Sequence, residues 1–554
     1  MSHRLKSFLP LGLILLMALL IRLPGMWWGD GELVPGQLTT WNTDEYFHVR
    51  VARQFTQGPI DHDSNYVKAF GLQMAGMAGL LQGSWSGLDS DQLIRGGRWV
   101  SLCYGVGLVL LAFVTVRDAF RNRPAALLTA AMVALSSLVV VQSHLAVADM
   151  ASTFWVWMAA WLTHGAITSR SRWRQGGAWA ACTLAISTKL ALAAVGPLIY
   201  LLVTSREKQR DFLLGLVVGM ALFFPVNGFA IGPEGFLAIW DNVLSDSIQV
   251  IPRHSPLETL ATIIISLAPG LSFPVVAAAG VGLWAAVKKG KEPGGQGFHQ
   301  GPWLHWGCFG TPVLIHFGLL LLLDDPFERH LLPLVPVFCG LAAFGWIHSL
   351  PKGWSLPKQL LATAPLIAYL LFFAIDGERP FWNDSRILAR QWILQHAGQG
   401  SSILQGRYAY LALPKERFRV TRQKRRDRSV PRLDRFDWII LHEVHTYRYR
   451  RSRLSPFGTP DRDNIYHPDL FGVRHLDALW SGVLPFRPVQ VIPMTPPLTL
   501  ERILYRRYWG PFQSFVGDVV IYRKMADPFQ KQDRRFSLGD LGNGQAKGVS
   551  ESLF

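Results

Sequence analysis

The 554-residue chain is short of charge: Asp, Glu, Lys and Arg make up 17% of it, against about 25% in a soluble globular protein. A deficit spread over so long a chain excludes disorder and a purely cytosolic protein. Cysteine is scarce as well. Cys103, Cys182, Cys308 and Cys339 each lie in an apolar run, where a thiol is a small hydrophobe, and neither a disulfide framework nor a metal-ligand spacing is present. Internal repeats and low-complexity tracts are not evident. Acidic residues are the scarcer charge, 38 Asp and Glu against 55 Lys and Arg, for a net charge of +17. What the chain has in abundance is apolar: half of its residues, with 21 Trp and 32 Phe. A membrane protein accounts for this, but a chain made only of bilayer helix has no room for so many charges. Part of it must lie in water.

Runs of about 17 to 25 apolar residues can cross a bilayer as helices. Candidates are residues 8 to 24, 99 to 116, 124 to 143, 150 to 168, 178 to 204, 212 to 230, 259 to 287, 303 to 323, 331 to 348 and 359 to 375. The first follows Arg4 and Lys6 and ends in Ile21-Arg22-Leu23-Pro24 without a small-residue cleavage site, so it reads as a retained anchor with Trp27 and Trp28 at the far interface. Short basic loops favour the cytoplasm. They are Arg117/Arg121/Arg123, Arg170/Arg172/Arg174, Arg206/Lys208/Arg210, Lys288/Lys289/Lys291 and Lys352/Lys358. With the N-terminus inside, the third cluster falls inside only if residues 178 to 204 pass twice or form a re-entrant pair. Lys189 in mid-run supports that turn, because a straight helix would leave its ammonium near the bilayer centre at about 2.5 to 3.5 kcal/mol on insertion scales. The run 259 to 287, with Pro269-Gly270 inside it, is the rival place for a double pass. The expected architecture is a polytopic α-helical membrane protein of about eleven crossings, residues 1 to 375.

That parity leaves three polar segments outside together: the loop 25 to 97, the turn Ser143 to Asp149, and Asp324 to His330. Residues 376 to 554 fall outside too. There Asp437 to Leu441 and Asp518 to Tyr522 read as strands and Arg386 to His396 as a helix, a small soluble α/β or α+β domain over 376 to 525 with a polar tail from 526 to 554. Residues 415 to 454 hold 14 Lys/Arg against five Asp/Glu, either a patch for anionic headgroups or an anionic acceptor, or a solvated surface. Nucleic acid is not expected on the far side of a membrane.

Three outer segments hold candidate chemistry. In the first, Asp44-Glu45-Tyr46-Phe47-His48 places two carboxylates beyond the first helix; they can accept a proton from a hydroxyl or amine nucleophile, or simply cap an interfacial helix. In the second, His144 and Asp149 lie five apart in a polar turn between apolar helices, close enough to converge, unless Asp149 is the N-cap of the next helix. In the third, Arg329 and His330 stand where the chain re-enters the membrane, a position that suits a guanidinium binding phosphate or one snorkelling to ordinary lipid. Lys68 and Lys189 pose the same choice. Three cations facing the compartment of two acidic loops point to an anionic substrate anchored in the bilayer. A transporter or flippase would also use intramembrane cations, but nearly all acids here lie in loops and no inverted repeat is evident.

Asp44-Glu45, Arg98 before an apolar helix, Ser143-His144 with Asp149, Ile186-Ser187-Thr188-Lys189, and Arg329-His330-Leu331-Leu332-Pro333-Leu334-Val335-Pro336 occur in this order. Over roughly residues 8 to 375 the chain resembles the dolichyl-phosphate-mannose protein mannosyltransferase superfamily of GT-C membrane glycosyltransferases, which includes the lipid A aminoarabinose transferases. The resemblance implies transfer of a sugar from a polyprenyl-phosphate carrier to a protein, lipid or glycan acceptor on the extracytoplasmic side, in a bacterial inner membrane. It implies Asp44 as general base with Glu45 positioning substrate, Asp149 near the reacting centre oriented by His144, and Arg329 and Lys189 on the carrier phosphate. Lys68 matches a first-loop lysine of some members, although the prolines that follow it there are missing. No cofactor is required, because a phosphate is already a competent leaving group. The oligosaccharyltransferase-like relatives, which use a divalent ion, are the nearby alternative.

Overall fold

A computed structural model describes residues 3–33, 37–57, 68–189, 191–205, 208–227, 256–290, 306–321, 328–351, 353–406, 408–422, 433–443, 479, 482–509 and 516–525. Tyr66, Val67, Asp324, Asp325, much of the basic segment and the tail from 526 lie outside the described residues. The chain divides into two compact units, Met1–Trp27 with Asn42–Glu378, and Trp28–Trp41 with Arg379–Phe554.

The first unit is helical. Its helices are α1 (His3–Arg22), α2 (Thr43–Gln57), α3 (Ala69–Gln82), α4 (Ser90–Phe120), α5 (Arg123–Leu135), α6 (Ser137–Gln142), α7 (Ala148–Ser169), α8 (Arg172–Lys189), α9 (Val195–Thr204), α10 (Lys208–Val226), α11 (Pro256–Leu271), α12 (Phe273–Gly290), α13 (Thr311–Leu321), α14 (Val335–Ser349) and α15 (Leu356–Trp382). Local sequence sets several boundaries. Asp89 and Gln92 form a reciprocal capping box at the start of α4, and the Asn122 side chain accepts from Ala125 N–H at the start of α5, satisfying amides that a helix start leaves open.

Among the described residues, five helices are long and apolar enough to cross a membrane: Phe8–Trp27, Ser90–Phe120, Lys208–Val226, Glu328–Ser349 and Pro357–His396. The chain is an integral membrane protein, although length and composition alone do not reach eleven crossings. A single straight span over 259 to 287 does not form. Helices α11 and α12 meet at 115° across Ser272, whose φ of 82° lies in the left-handed region that ends a helix, just after Pro269.

The chain also breaks at Lys189, where α8 ends. A Cβ on Gly215 of α10 would meet the Trp179 ring of α8 at 2.2 Å, and one on Gly219 would lie 3.5 Å from Thr183 Oγ1. Asn227 beyond α10 bonds Ser187. The partner numbers rise together, so α8 and α10 run in the same direction, with their basic starts at the same end. The chain must return between Lys189 and Lys208, through a short 3-10 turn and α9. This is the return that the sequence places at Lys189.

In the second unit, a five-stranded mixed sheet has the order β2-β1-β3-β5-β4, from β1 (Ser402–Gln405), β2 (Arg419–Arg422), β3 (Trp438–His442), β4 (Phe486–Ile492) and β5 (Val519–Lys524). β1 is parallel to β2 and β3, whereas β5 is antiparallel to β3 and β4. Alternate residues serve two cores. Ile403, Ile440, Val519 and Ile521 pack with Ala389 and Ile393 of α16 (Ser385–His396), while Leu404, Ile439, Leu441 and Tyr522 pack with Phe486. The segment Trp28–Trp41 belongs here because buried Arg386 gathers it. The Arg386 guanidinium lies 4.3 Å from the centroid of the Trp41 ring and 5.8 Å from that of Trp28. Asp384 accepts from Arg386 Nε at 2.7 Å and from the Trp28 indole at 3.2 Å. Trp28 is consequently buried among protein groups and not at a lipid interface; Trp27 is exposed.

In a Cys103→Ser background, cysteines placed at Arg170 and Lys208 should react with an impermeant maleimide from one side of the membrane, and one at Lys189 from the other. Labelling of positions 170 and 208 from opposite sides would refute the return at Lys189.

Candidate active site

The first acid sits where the sequence places it, at a helix start. Asn42, not the carboxylates, caps α2: its side-chain oxygen accepts from Asp44 N–H at 2.9 Å. That leaves Asp44 in the first turn with its side chain 42% exposed, and its Oδ2 lies 2.9 Å from Arg329 Nη1. Arg329 stands in a 3-10 turn, Glu328–Leu334, leading into α14. The turn is fixed on α7, since the Trp157 indole donates to Pro333 O at 2.9 Å.

Asp149 is not the N-cap of α7; Val147 occupies that position without a side-chain bond. Asp149 lies in the first turn and its Oδ1 pairs with Lys189 Nζ at the end of α8. Each charge stands at the helix end whose dipole favours it, two carboxylates at N-termini and the ammonium at a C-terminus. Asp149 is also within electrostatic reach of Arg329 and His330, so the two acid–cation pairs, drawn from four distant segments, form one cluster. His330 contributes its backbone oxygen to His316 Nε2 at 2.6 Å, which ties the turn to α13.

Glu45 points into the protein interior. It is fully buried, with Oε1 accepting from Arg98 Nε at 3.1 Å and from Ala146 N–H at 2.8 Å, and Oε2 from Arg98 Nη2 at 3.2 Å. Arg98 Nη1 donates further to Met26 O at 3.0 Å. Glu45 thus clamps the start of α2 to the turn before Asp149. His144 is placed against buried Glu378, Nδ1 to Oε2 3.3 Å, in space that only a glycine at position 25 leaves open: a Cβ there would lie 1.7 Å from Nδ1. It therefore packs on the end of α15 instead of orienting Asp149 directly. Lys68 is buried at the start of α3, and its N–H donates to Asn227 Oδ1 at 2.9 Å.

His48 was not singled out by the sequence, although its spacing four residues after Asp44 puts both on one helix face. Its ring meets Phe70 edge-on at 5.0 Å. Burial pushes its pKa down to about 4, against the opposing pull of Asp44 and Asp149, so a neutral imidazole lies beside the acid pair at neutral pH. Among the described residues no group of three or more His, Cys, Asp or Glu converges on one point. The two carboxylates each face a basic side chain.

Apolar helices bearing a partly exposed cluster of paired charges define a membrane protein with a polar cluster at its helix ends. Residues 89–229 match the family described as dolichyl-phosphate-mannose-protein mannosyltransferase. That stretch is about a quarter of the chain and contains Arg98, His144, Asp149 and Lys189. No curated protein matches. Among solved structures, ArnT from Cupriavidus metallidurans bound to undecaprenyl phosphate is 16% identical, covering 72% of this chain and 73% of its own, with a TM-score of 0.46. The archaeal oligosaccharyltransferase AglB from Archaeoglobus fulgidus, in complex with an inhibitory peptide and a dolichol-phosphate, is 11% identical, covering 94% and 89%, with a TM-score of 0.48. At these values neither supplies a residue correspondence.

Removing one partner of a buried ion pair costs about 3–5 kcal/mol. Arg98→Met should therefore melt well below the parent in detergent, and adding Glu45→Leu should recover part of the loss. The His48 shift has its own signature. Because the unfolded chain binds this proton near pH 6.5 and the folded chain near 4, stability from a neutral His48 is complete above pH 6.5 and declines as the pH falls towards 4. The melting temperature of His48→Gln should fall less over that window.

Proposed function

We propose that the chain is a membrane glycosyltransferase that moves a sugar from a polyprenyl-phosphate carrier to an acceptor hydroxyl or amine on the extracytoplasmic side of a bacterial inner membrane. The observation that carries this reading is the pairing of Asp44 with Arg329 and Asp149 with Lys189 in one cluster. The match of residues 89–229 to a family of sugar transferases supports it.

In the proposed reaction the acceptor oxygen or nitrogen attacks the anomeric carbon from the face opposite the phosphate. A new glycosidic bond forms, the bond from carbon to phosphate oxygen breaks, and its electron pair leaves with the carrier phosphate, so the anomeric configuration inverts. Asp44 takes the acceptor proton. Arg329 and Lys189 hold the phosphate and stabilise the charge it gains, with Lys68 as a third cation. The phosphate and the two carboxylates compete for the same cations. Donor binding would draw Arg329 away from Asp44 and leave the carboxylate to the acceptor. Half-exposed ion pairs of this kind contribute about 0–1 kcal/mol, so the exchange costs little.

Deleting the gene should remove a defined sugar from the glycans or lipids seen by mass spectrometry. Complementation with Asp44→Asn should fail to restore it, with turnover down by about 10²–10⁴-fold and the protein level in the membrane unchanged; normal restoration would refute the base assignment. Arg329→Ala should weaken binding of a polyprenyl-phosphate donor, and unchanged affinity would leave Arg329 as a lipid anchor.

A further inference from the structure

The amide of Asn227 is fully buried at the end of α10 and all of its polar atoms are directed. Its Oδ1 accepts the backbone N–H of Lys68 at 2.9 Å. Its Nδ2 donates to Ser187 Oγ at 3.1 Å and to Phe223 O at 2.8 Å. Lys68 is the N-cap residue of α3 and its own side chain makes no cap bond, since an ammonium has no acceptor for a backbone amide. The start of α3 takes its anchor from a residue 159 positions away. Ser187 is also fully buried, two residues before Lys189 in the last turn of α8. One side chain therefore bridges the start of α3, at Lys68, and the last turn of α8, which ends at Lys189.

We propose that Asn227 is a positioning residue for the carrier phosphate, fixing Lys68 and Lys189 relative to one another so that both can serve a single anion. The inference rests on the reading of these lysines as phosphate ligands given above. No other residue type of this size supplies a donor and an acceptor from one rigid plane. Alanine at 227 would leave the Lys68 N–H and the Ser187 hydroxyl buried without this partner, and would let the start of α3 drift from α8.

The test uses the full chain in nanodiscs and two probes, a polyprenyl phosphate and the corresponding polyprenol. The ratio of their affinities measures recognition of the phosphate alone, which a general loss of packing does not alter. Asn227→Ala and Ser187→Ala should each lower the ratio by about three- to tenfold, the worth of one hydrogen bond, and the double variant should be no worse than the poorer single one. Lys68→Met and Lys189→Met are measured alongside. If these two lose the phosphate preference while Asn227→Ala and Ser187→Ala keep it, the bridge plays no part in positioning and the proposal falls alone. If the lysine variants keep the preference, the phosphate reading of the site falls and takes the proposal with it. Should Asn227→Ala fail to accumulate, Ser187→Ala alone decides between the outcomes.

Discussion

The buried pair of Glu45 and Arg98 is the constraint on which the site depends. Two planar groups meet through two parallel hydrogen bonds, and the remaining donors and acceptors reach Met26 O and Ala146 N–H. In one contact the end of the first span, the start of α2 and the turn before α7 are joined. A buried pair adds little net stability over apolar side chains, because desolvation offsets the attraction. Its geometry is nevertheless exacting: any shift of α2 against the turn would strand a charge in the interior. Asp44 follows from this clamp by one residue and Asp149 by three, so both acids inherit their positions from it.

The charges next to the clamp are arranged on the opposite principle. Asp44 and Arg329 are paired but reachable by solvent, whereas buried Asp149 is paired with an ammonium, Lys189, that solvent reaches. The solvent-reached pair of Asp44 and Arg329 holds its charges in place in the absence of ligand and breaks at small cost. A rigid frame carries exchangeable partners, which is what a site needs if an incoming phosphate is to replace a carboxylate on each cation. The bridge through Asn227 extends the rigid part to a third segment by neutral hydrogen bonds, adding no charge that would compete for the anion.

Much of this was legible along the chain, and what was legible was local. Apolar runs mark bilayer helices because every backbone group there must be satisfied within the segment. Lys189 marks the break after α8 because an ammonium is costly at mid-membrane. The short apolar run Trp438 to Leu441 after Asp437 marks a strand buried on both faces. Glu45 misled for a physical reason. Next to Asp44 it has the same chemistry, and only the helical turn of about 100° between neighbours sends one carboxylate to the site and the other into the interior. Trp28 misled similarly: a Trp after a span reads as an interfacial anchor, but Arg386, more than 350 residues on, draws it into the sheet-bearing unit.

The sequence by itself determined that this is a membrane protein with a C-terminal part outside the apolar helices, and it determined the set of acids and cations worth considering, since residue type and hydropathy act over a few residues. Tertiary structure decided the partnerships: Asp44 with Arg329, Asp149 with Lys189, Glu45 with Arg98, His144 with Glu378, and Lys68 with Ser187 through Asn227. Each joins positions tens to hundreds of residues apart. A charge does not carry the identity of its partner; packing of the helices chooses among many possible pairs the few whose geometry satisfies every buried group at once.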